Sequence, residues 1–332
     1  MSIKYDELAC LRKSDSLTKR LNVLCKNKNS TIMVRLIVYL YTMVTGIPEL
    51  LLGRQMRRKI LNDSTKKYSL GIVAIAKNES EYIREWVAFH KLVGVSVIFL
   101  YDNESTDNMK ECISDYIDSG YVVYQKIEGK NRQYDAYNDA LFRYGRLCKY
   151  MAFIDCDEFL TPCNRGDNLL DYLDSAVVKN KNAGGIGINW CMYGSSGYLE
   201  KPKGLLIERF IWRADTVNGK GNNCIKTIAI PECIKLFNHP HYPIYRYGFY
   251  NVDLYGHPVS GAYNRITQYY GVKINHYFTK SKEQWIIRRS MGMADKNAER
   301  TISEFYEHDN NDVKDLSAAI YSKELYCECN KD

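Results

Sequence analysis

From Tyr68 onward the chain alternates short, uniformly apolar runs with longer amphipathic ones. Residues 70–76, LGIVAIA, form a β-branched run without polar interruption. That is the pattern of a strand buried on both faces of a parallel sheet. In 79–93, Tyr82, Ile83, Trp86, Phe89, Leu92 and Val93 fall on one helical stripe, with Glu79, Glu81 and Glu85 near the start and Gly94 as a stop. The same reasoning predicts strands over 95–101, 121–127 and 150–154, and helices over 109–117 and 133–148. Strands alternating with helices of this length specify βαβ units, hence a doubly wound, mostly parallel α/β sheet flanked by helices.

Beyond Gly184 the alternation loosens. Residues 184–190 and 204–212 read as strands, 194–197 (GSSG) as a loop, and 283–294 and 317–326 as closing helices. The segment 239–243, HPHYP, is expected to be extended, because prolines constrain themselves and their predecessors. Three zones follow: a helical and basic extension over 1–67, an α/β domain over 68–280, and a C-terminal helical segment over 281–332. The apolar run 36–45 is bounded by Arg35 and by Gly46-Ile47-Pro48, short of the ~20 apolar residues of a spanning helix. Arg54, Arg57, Arg58, Lys59, Lys66 and Lys67 follow it. An apolar helix and a basic cluster suit peripheral contact with an anionic inner leaflet; a helix packed on the domain beside a solvated basic turn fits equally well.

Composition narrows the class. With 332 residues, 45% hydrophobic and 26% charged, the chain has the balance of a globular protein with a sizeable core. The 28 tyrosines suit sugar-stacking surfaces, though compositional bias explains them as readily. Eleven cysteines, an odd number, follow an N-terminus without a signal pattern, so reduced thiols and a cytoplasmic location are expected. Cys327 and Cys329 have no second pair at zinc-site spacing and read as tail residues. The net charge is +7, but the basic residues are not interleaved with aromatics along a strand, which argues against nucleic acid as partner.

The chemistry concentrates at strand ends. Asp155-Cys156-Asp157 leaves an apolar strand at the carboxyl edge of the sheet, where open α/β folds bind ligands. Two carboxylates so placed repel unless a cation stands between them, and Mg²⁺ or Mn²⁺ takes one or two carboxylates plus phosphate oxygens and water. The alternative is an acidic loop capping a helix near Glu158. Ala76, Asn78 and Glu79 close the first strand, where backbone amides are open to an anion or a base edge. Asp102 and Asn103 close the second, Asp102 facing a ribose or base and Thr106 or Asp107 capping the next helix. Among the histidines, His90 is expected to pack inside a helix and His308 to be solvated in an acidic tail.

The succession Lys77-Asn78-Glu79, 101–107 (YDNESTD), Gln133 with 136–138 (AYN), and 155–159 (DCDEF) resembles the GT-A glycosyltransferases. It is similar specifically to glycosyltransferase family 92 and its bacterial family-2-like relatives. Residues 194–197, 207–210 (IERF), Lys226, 239–241 and 274–281 continue the likeness in order. The resemblance implies inverting transfer from a nucleotide-sugar donor, a UDP-sugar foremost, to a glycan or lipid-linked glycan acceptor in surface or capsular polysaccharide synthesis. Asp155 and Asp157 would hold the metal and His276 complete its shell, unless His276 is a buried hydrogen-bonded histidine. Arg132, Gln133 and Lys226 stand on the donor side, His239 and His241 on the acceptor side. Glu208 is the candidate base, or else an ion-pair partner of Arg209 or Arg213. Two other readings are a non-catalytic sugar-nucleotide or glycan binder of the same fold and a nucleotidyltransferase. The latter lacks its Gly-rich pyrophosphate loop.

Overall fold

The computed structural model describes residues 65–246, 248–289 and 301–330. Residues 1–64 and the stretch 290–300 lie outside them, and with them all of the expected membrane-facing zone but Lys66 and Lys67, and the end of the expected 283–294 helix.

In chain order the elements are β1 (Tyr68–Ala76), α1 (Ile83–Leu92), β2 (Val97–Asp102), α2 (Ser114–Asp118), β3 (Val122–Lys126), α3 (Gln133–Tyr144) and β4 (Cys148–Phe153). There follow β5 (Glu158–Pro162), α4 (Leu169–Lys179), β6 (Ala183–Met192), α5 (Leu206–Arg209), β7 (Trp212–Arg213), β8 (Ile225–Ala229) and β9 (Ile234–Phe237). The chain closes with β10 (Pro243–Tyr245), β11 (Tyr250–Val252), β12 (Pro258–Val259), β13 (Val272–His276), α6 (Lys282–Arg289), α7 (Ile302–His308), β14 (Val313–Lys314) and α8 (Ser322–Cys329).

The first half is the expected parallel unit: β1 lies between β2 and β4, with β3 outside β2, all parallel. β1 is buried on both faces, so its alternate residues feed two cores. Leu70, Ile72 and Ala74 meet α1, whose Ile83, Trp86, Val87 and Phe89 are buried. Val73 and Ile75 meet Ala136, Tyr137 and Ala140 of α3. The second half departs from a purely parallel sheet. β8 enters antiparallel between β4 and β6, so Lys226 arrives beside the end of β4. β6 also carries β13 in parallel, and β13 pairs antiparallel with β5.

Several local expectations change. Residues 158–162 are a strand, which removes the reading of 155–158 as a helix cap. Residues 204–212 are not one strand: Gly204 turns the chain at φ +105°, accessible to glycine. The buried Glu85 carboxylate then accepts from Leu206 N and Ile207 N at 2.8 and 3.1 Å, winding 206–209 into the single turn of α5. His308 is half-buried, its ring 5.0 Å from that of Phe278, rather than solvated. His90 packs as expected. Its Nδ1 donates to Trp86 O at 2.8 Å, its Nε2 accepts from Leu160 N at 3.1 Å, and burial pushes it down to about 3.

The C-terminal helices belong to the same compact unit. α8 lies on α1, with Lys91 2.7 Å from Glu328, Arg84 Nε donating to Cys329 O at 2.6 Å, and Leu325 fully buried.

Candidate functional site at the carboxyl edge of the sheet

The apolar register of β4 carries the chain to the sheet edge, where Asp155, Cys156 and Asp157 turn back into β5. Asp155 N donates to the Glu158 carboxylate at 3.0 Å, which closes the turn. Both oxygens of Asp155 have protein donors. Gln133 Nε2 and Tyr137 OH, one helical turn apart on α3, reach Oδ1 at 2.8 and 3.4 Å. Lys226 Nζ, almost fully buried on β8, reaches Oδ2 at 2.8 Å and lies 3.5 Å from the buried Glu158. Burial disfavours the Lys226 charge, yet Asp155 and Glu158 hold its ammonium well above the ordinary range. Burial pushes Glu158 upward.

Asp157 is anchored by its own carbonyl, which accepts from Tyr277 N at 2.9 Å just beyond β13. Its Oδ2 lies 2.6 Å from Arg288 of α6 and 3.6 Å from His276 Nε2. Burial works to raise this carboxyl, but Arg288 and His276 hold it well below the usual carboxylate range. The His276 ring stands 4.3 Å from Trp190 and 5.3 Å from Phe278, centroid to centroid. Trp190 in turn meets His241 at 4.9 Å. His241 Nδ1 donates to Ile225 O at 2.7 Å, and burial pushes the ring down to about 3, so it is neutral at physiological pH. His239 Nδ1 accepts from His241 N at 3.2 Å and its ring stacks on Tyr242. Thus 239–243, Trp190 and His276 form one aromatic wall beside Asp157.

The remaining donor-side candidates sit at the same edge but are largely occupied by the scaffold. Asp102, buried, accepts from Ser105 N at 2.9 Å and from Tyr124 OH at 2.7 Å. Asn103 Nδ2 donates to Ile127 O and Gly129 O. Asn78, at φ +56°, accepts from Thr106 N at 2.7 Å, and Ala76 O accepts from Asn103 N, stitching the ends of β1 and β2 together. Asp107 accepts from Ser80 N and Met109 N, a capping role. Arg132 precedes α3 and pairs with Asp135 at 3.0 Å. Glu79 is among the charges acting on Arg288 and Lys280.

Glu208 is exposed on α5, and a Cβ at Gly204 would stand 3.6 Å from its Oε2. Neither arginine proposed as its partner takes that role: Arg213 pairs with Asp315 at 2.8 Å, and Arg209 donates to Pro202 O and Leu205 O. The link from α5 to the Asp157 group runs through Tyr82. Lys280 Nζ sits 3.6 Å over the Tyr82 ring, and the Arg209 guanidinium lies 5.6 Å from the same centroid.

Sequence reasoning did not single out Arg288, Lys280, Trp190 or Tyr137 as site residues. Only Tyr137 carried a local signal, standing one helical turn after Gln133. Arg288 and Lys280 lie far along the chain from Asp157 and reach it only by tertiary packing.

Among the described residues no three His, Cys, Asp or Glu side chains converge as a metal cluster. The fit of a divalent cation is therefore a matter of Asp157 and His276. A carboxylate oxygen and an imidazole nitrogen 3.6 Å apart are a donor set suited to Mn²⁺. The buried His276 Nδ1 has no hydrogen-bond partner among the described residues. Arg288 shares that Asp157 oxygen, and Asp155 already spends both oxygens on protein donors.

The fold is a Rossmann-like α/β unit with a cluster of charged side chains at the carboxyl edge of its parallel strands. The profile of glycosyltransferase family 92 matches residues 72–304. The chain belongs to glycosyltransferase family 92. Its curated relatives include the family 92 protein RCOM_0530710 of Ricinus communis, 27% identical over 138 residues, covering 41% of this chain and 25% of the relative. Another is Os08g0121900 of Oryza sativa subsp. japonica, 30% identical over 140 residues, covering 42% and 24%. The chain thus spans about a quarter of the length of these relatives. Among solved structures, S. aureus TarS 1–349 in complex with UDP-GlcNAc is similar at 12% identity and a TM-score of 0.38, over 78% of this chain and 72% of that one.

Proposed function

We propose that this protein is an inverting glycosyltransferase that moves a sugar from a UDP-sugar to a glycan or lipid-linked glycan acceptor. The observation that carries this reading is the meeting of Asp157 and His276 at 3.6 Å on the sheet edge, with the cation Arg288 on Asp157 and the cation Lys226 on the neighbouring Asp155. Acidic and imidazole ligands beside fixed cations suit a diphosphate, whose charge needs both a metal and positive side chains.

Asp157 and His276 would hold Mn²⁺ or Mg²⁺, which when bound supplies Lewis-acid stabilisation of the leaving diphosphate. Lys226 keeps Asp155 fixed and adds positive potential to that side of the site. Trp190, between His276 and His241, offers an apolar ring face for a sugar. Glu208 takes the acceptor hydroxyl proton as the acceptor oxygen bonds to the anomeric carbon and the bond from that carbon to the diphosphate oxygen breaks. The surroundings we assign are the cytoplasmic face of the membrane and surface or capsular polysaccharide synthesis, from the basic and apolar N-terminal zone.

A thermal-shift screen of nucleotide sugars with and without Mn²⁺ tests the reading, because a ligand that binds only the folded state raises apparent stability. One UDP-sugar should raise the melting temperature only when Mn²⁺ is present. Stabilisation by glycans with no response to any nucleotide sugar would favour a non-catalytic glycan binder.

A further inference from the structure

The geometry points to a binding subsite for an anionic group of the acceptor, a phosphate or a carboxylate, in the hollow between the 201–204 loop and the start of α1. This rests on the reading of the protein as a glycosyltransferase and adds the chemical class of its acceptor.

The hollow encloses about 360 Å³ and is lined by Glu81, Lys201, Pro202, Lys203, Gly204 and Arg209. Three of the six are cations and one is an acid. Glu81 is already committed: it pairs with Lys201 at 2.9 Å and accepts from Gln284 Nε2 at 3.0 Å. Lys203 and Arg209 are left in excess, since among the described residues neither forms an ion pair. Arg209 is only 7% exposed. Its Nε and one terminal nitrogen donate to Leu205 O and Pro202 O, at 3.3 and 2.7 Å, so the guanidinium is held rigidly in the wall. The buried Glu85 is near enough for Arg209 to favour its ionised form, but no carboxylate among the described residues stands within ion-pair distance, so the guanidinium keeps a donor fork that suits a phosphate or carboxylate.

The loop is built to hold this shape. Gly204 supplies the positive-φ turn, and Lys201 N donates to the Glu283 carboxylate at 2.8 Å. Glu283 N and Lys282 N donate back to Leu199 O and Tyr198 O. The same helix α6 carries Arg288 to Asp157, so one element organises both places. The Tyr82 ring is common to both places, with Lys280 3.6 Å and Arg209 5.6 Å from its centroid. Glu208 precedes Arg209 on α5 and faces Gly204. An acceptor whose anionic group rests on Lys203 and Arg209 therefore has its neighbouring hydroxyls within the reach of the proposed base.

Calorimetric titration of the full chain with inorganic phosphate, glucuronate and, as neutral control, glucose tests this at low ionic strength, where exposed charges are least screened. At least one anion should bind saturably and glucose should not; the stronger of phosphate and glucuronate identifies the acceptor group. Lys203→Glu should weaken that binding about tenfold, the order expected for reversing one contacting charge, while Lys203→Arg retains it. Lys323→Glu, in the hollow beside Leu92 at the far end of α1, should leave it unchanged. Anion binding that Lys203→Glu leaves intact, or that Lys323→Glu weakens equally, overturns the subsite. The two proposals separate cleanly. Site-specific phosphate binding without nucleotide-sugar turnover keeps the subsite and removes the transferase, whereas transfer to an anionic acceptor with unchanged KM in Lys203→Glu does the reverse.

Discussion

Lys226 shows how far a single residue can be understood from the chain alone. Its place in an ordered succession of motifs marked it as a donor-side residue, but nothing local revealed its partners. Antiparallel insertion of β8 beside β4 brings it to Asp155 at 2.8 Å and Glu158 at 3.5 Å. Lys226→Met leaves the fully buried Glu158 without its cation. With Asp155 about a third exposed, the loss should be about 3 kcal/mol, at the lower end for breaking a buried pair. Urea denaturation checks this, and adding Glu158→Gln should restore part of the loss, since the two sites share one network. Glu85 makes a second residue-scale prediction. Burial, only partly offset by the N–H groups of Leu206 and Ile207, pushes it up to about 7. A carboxyl raised above its unfolded value of about 4.3 contributes stability that is full below that value and lost as pH rises through about 7. The stability of Glu85→Gln relative to the native protein should therefore climb between pH 5 and 8; a pH-independent difference would contradict the assignment.

Among the elements, those with strong local periodicity were legible and those made by distant pairing were not. β1, α1, β2 and α3 follow from apolar period alone. The expected strand over 204–212 failed because its apolar residues are buried by a turn capped from Glu85, a partner more than a hundred positions away. β7 is made by distant pairing, with β14 on one hand and Tyr193 on the other, and the acidic tail that reads as solvated supplies β14. That tail also clamps the Gly194–Gly197 loop. Asp309 accepts from Ser195 N and Oγ at 2.6 and 3.1 Å, and Asn311 accepts from Ser196 N at 2.7 Å. A side chain at Gly194 would meet Asn310 O at 2.6 Å and the Asn311 side chain, so the loop accepts only glycine there. Asp309→Ala should cost about 2 kcal/mol, the loss of charge-assisted hydrogen bonds. Hydrogen exchange at Ser195 and Ser196 should accelerate while that of β1 stays slow; unchanged protection at the loop would show that the clamp is redundant.

At the scale of the molecule, the parallel half was readable because its order in sequence is nearly its order in space. The site was readable only in part, because its parts come from β4, β8, β13, α3 and α6. Asp155, Asp157, Gln133, Lys226 and His276 were named from the chain and do meet, whereas Arg288 enters only when α6 folds back over the sheet edge. Asp102 and Asn103 reach the same edge but are bound into the β1–β2 junction, since strand-end polar residues must also satisfy the turn that bears them. We propose that Asp157, with His276, makes this edge a divalent-dependent sugar-nucleotide site. Release of UDP from a panel of UDP-sugars, followed with Mn²⁺ and with chelator for the native protein and for Asp157→Asn, tests it most directly. Release from at least one UDP-sugar should require Mn²⁺ and fall by about a hundredfold or more in Asp157→Asn, the scale of losing a principal electrostatic contribution. Release that is equal in chelator, or undiminished in Asp157→Asn, would contradict it.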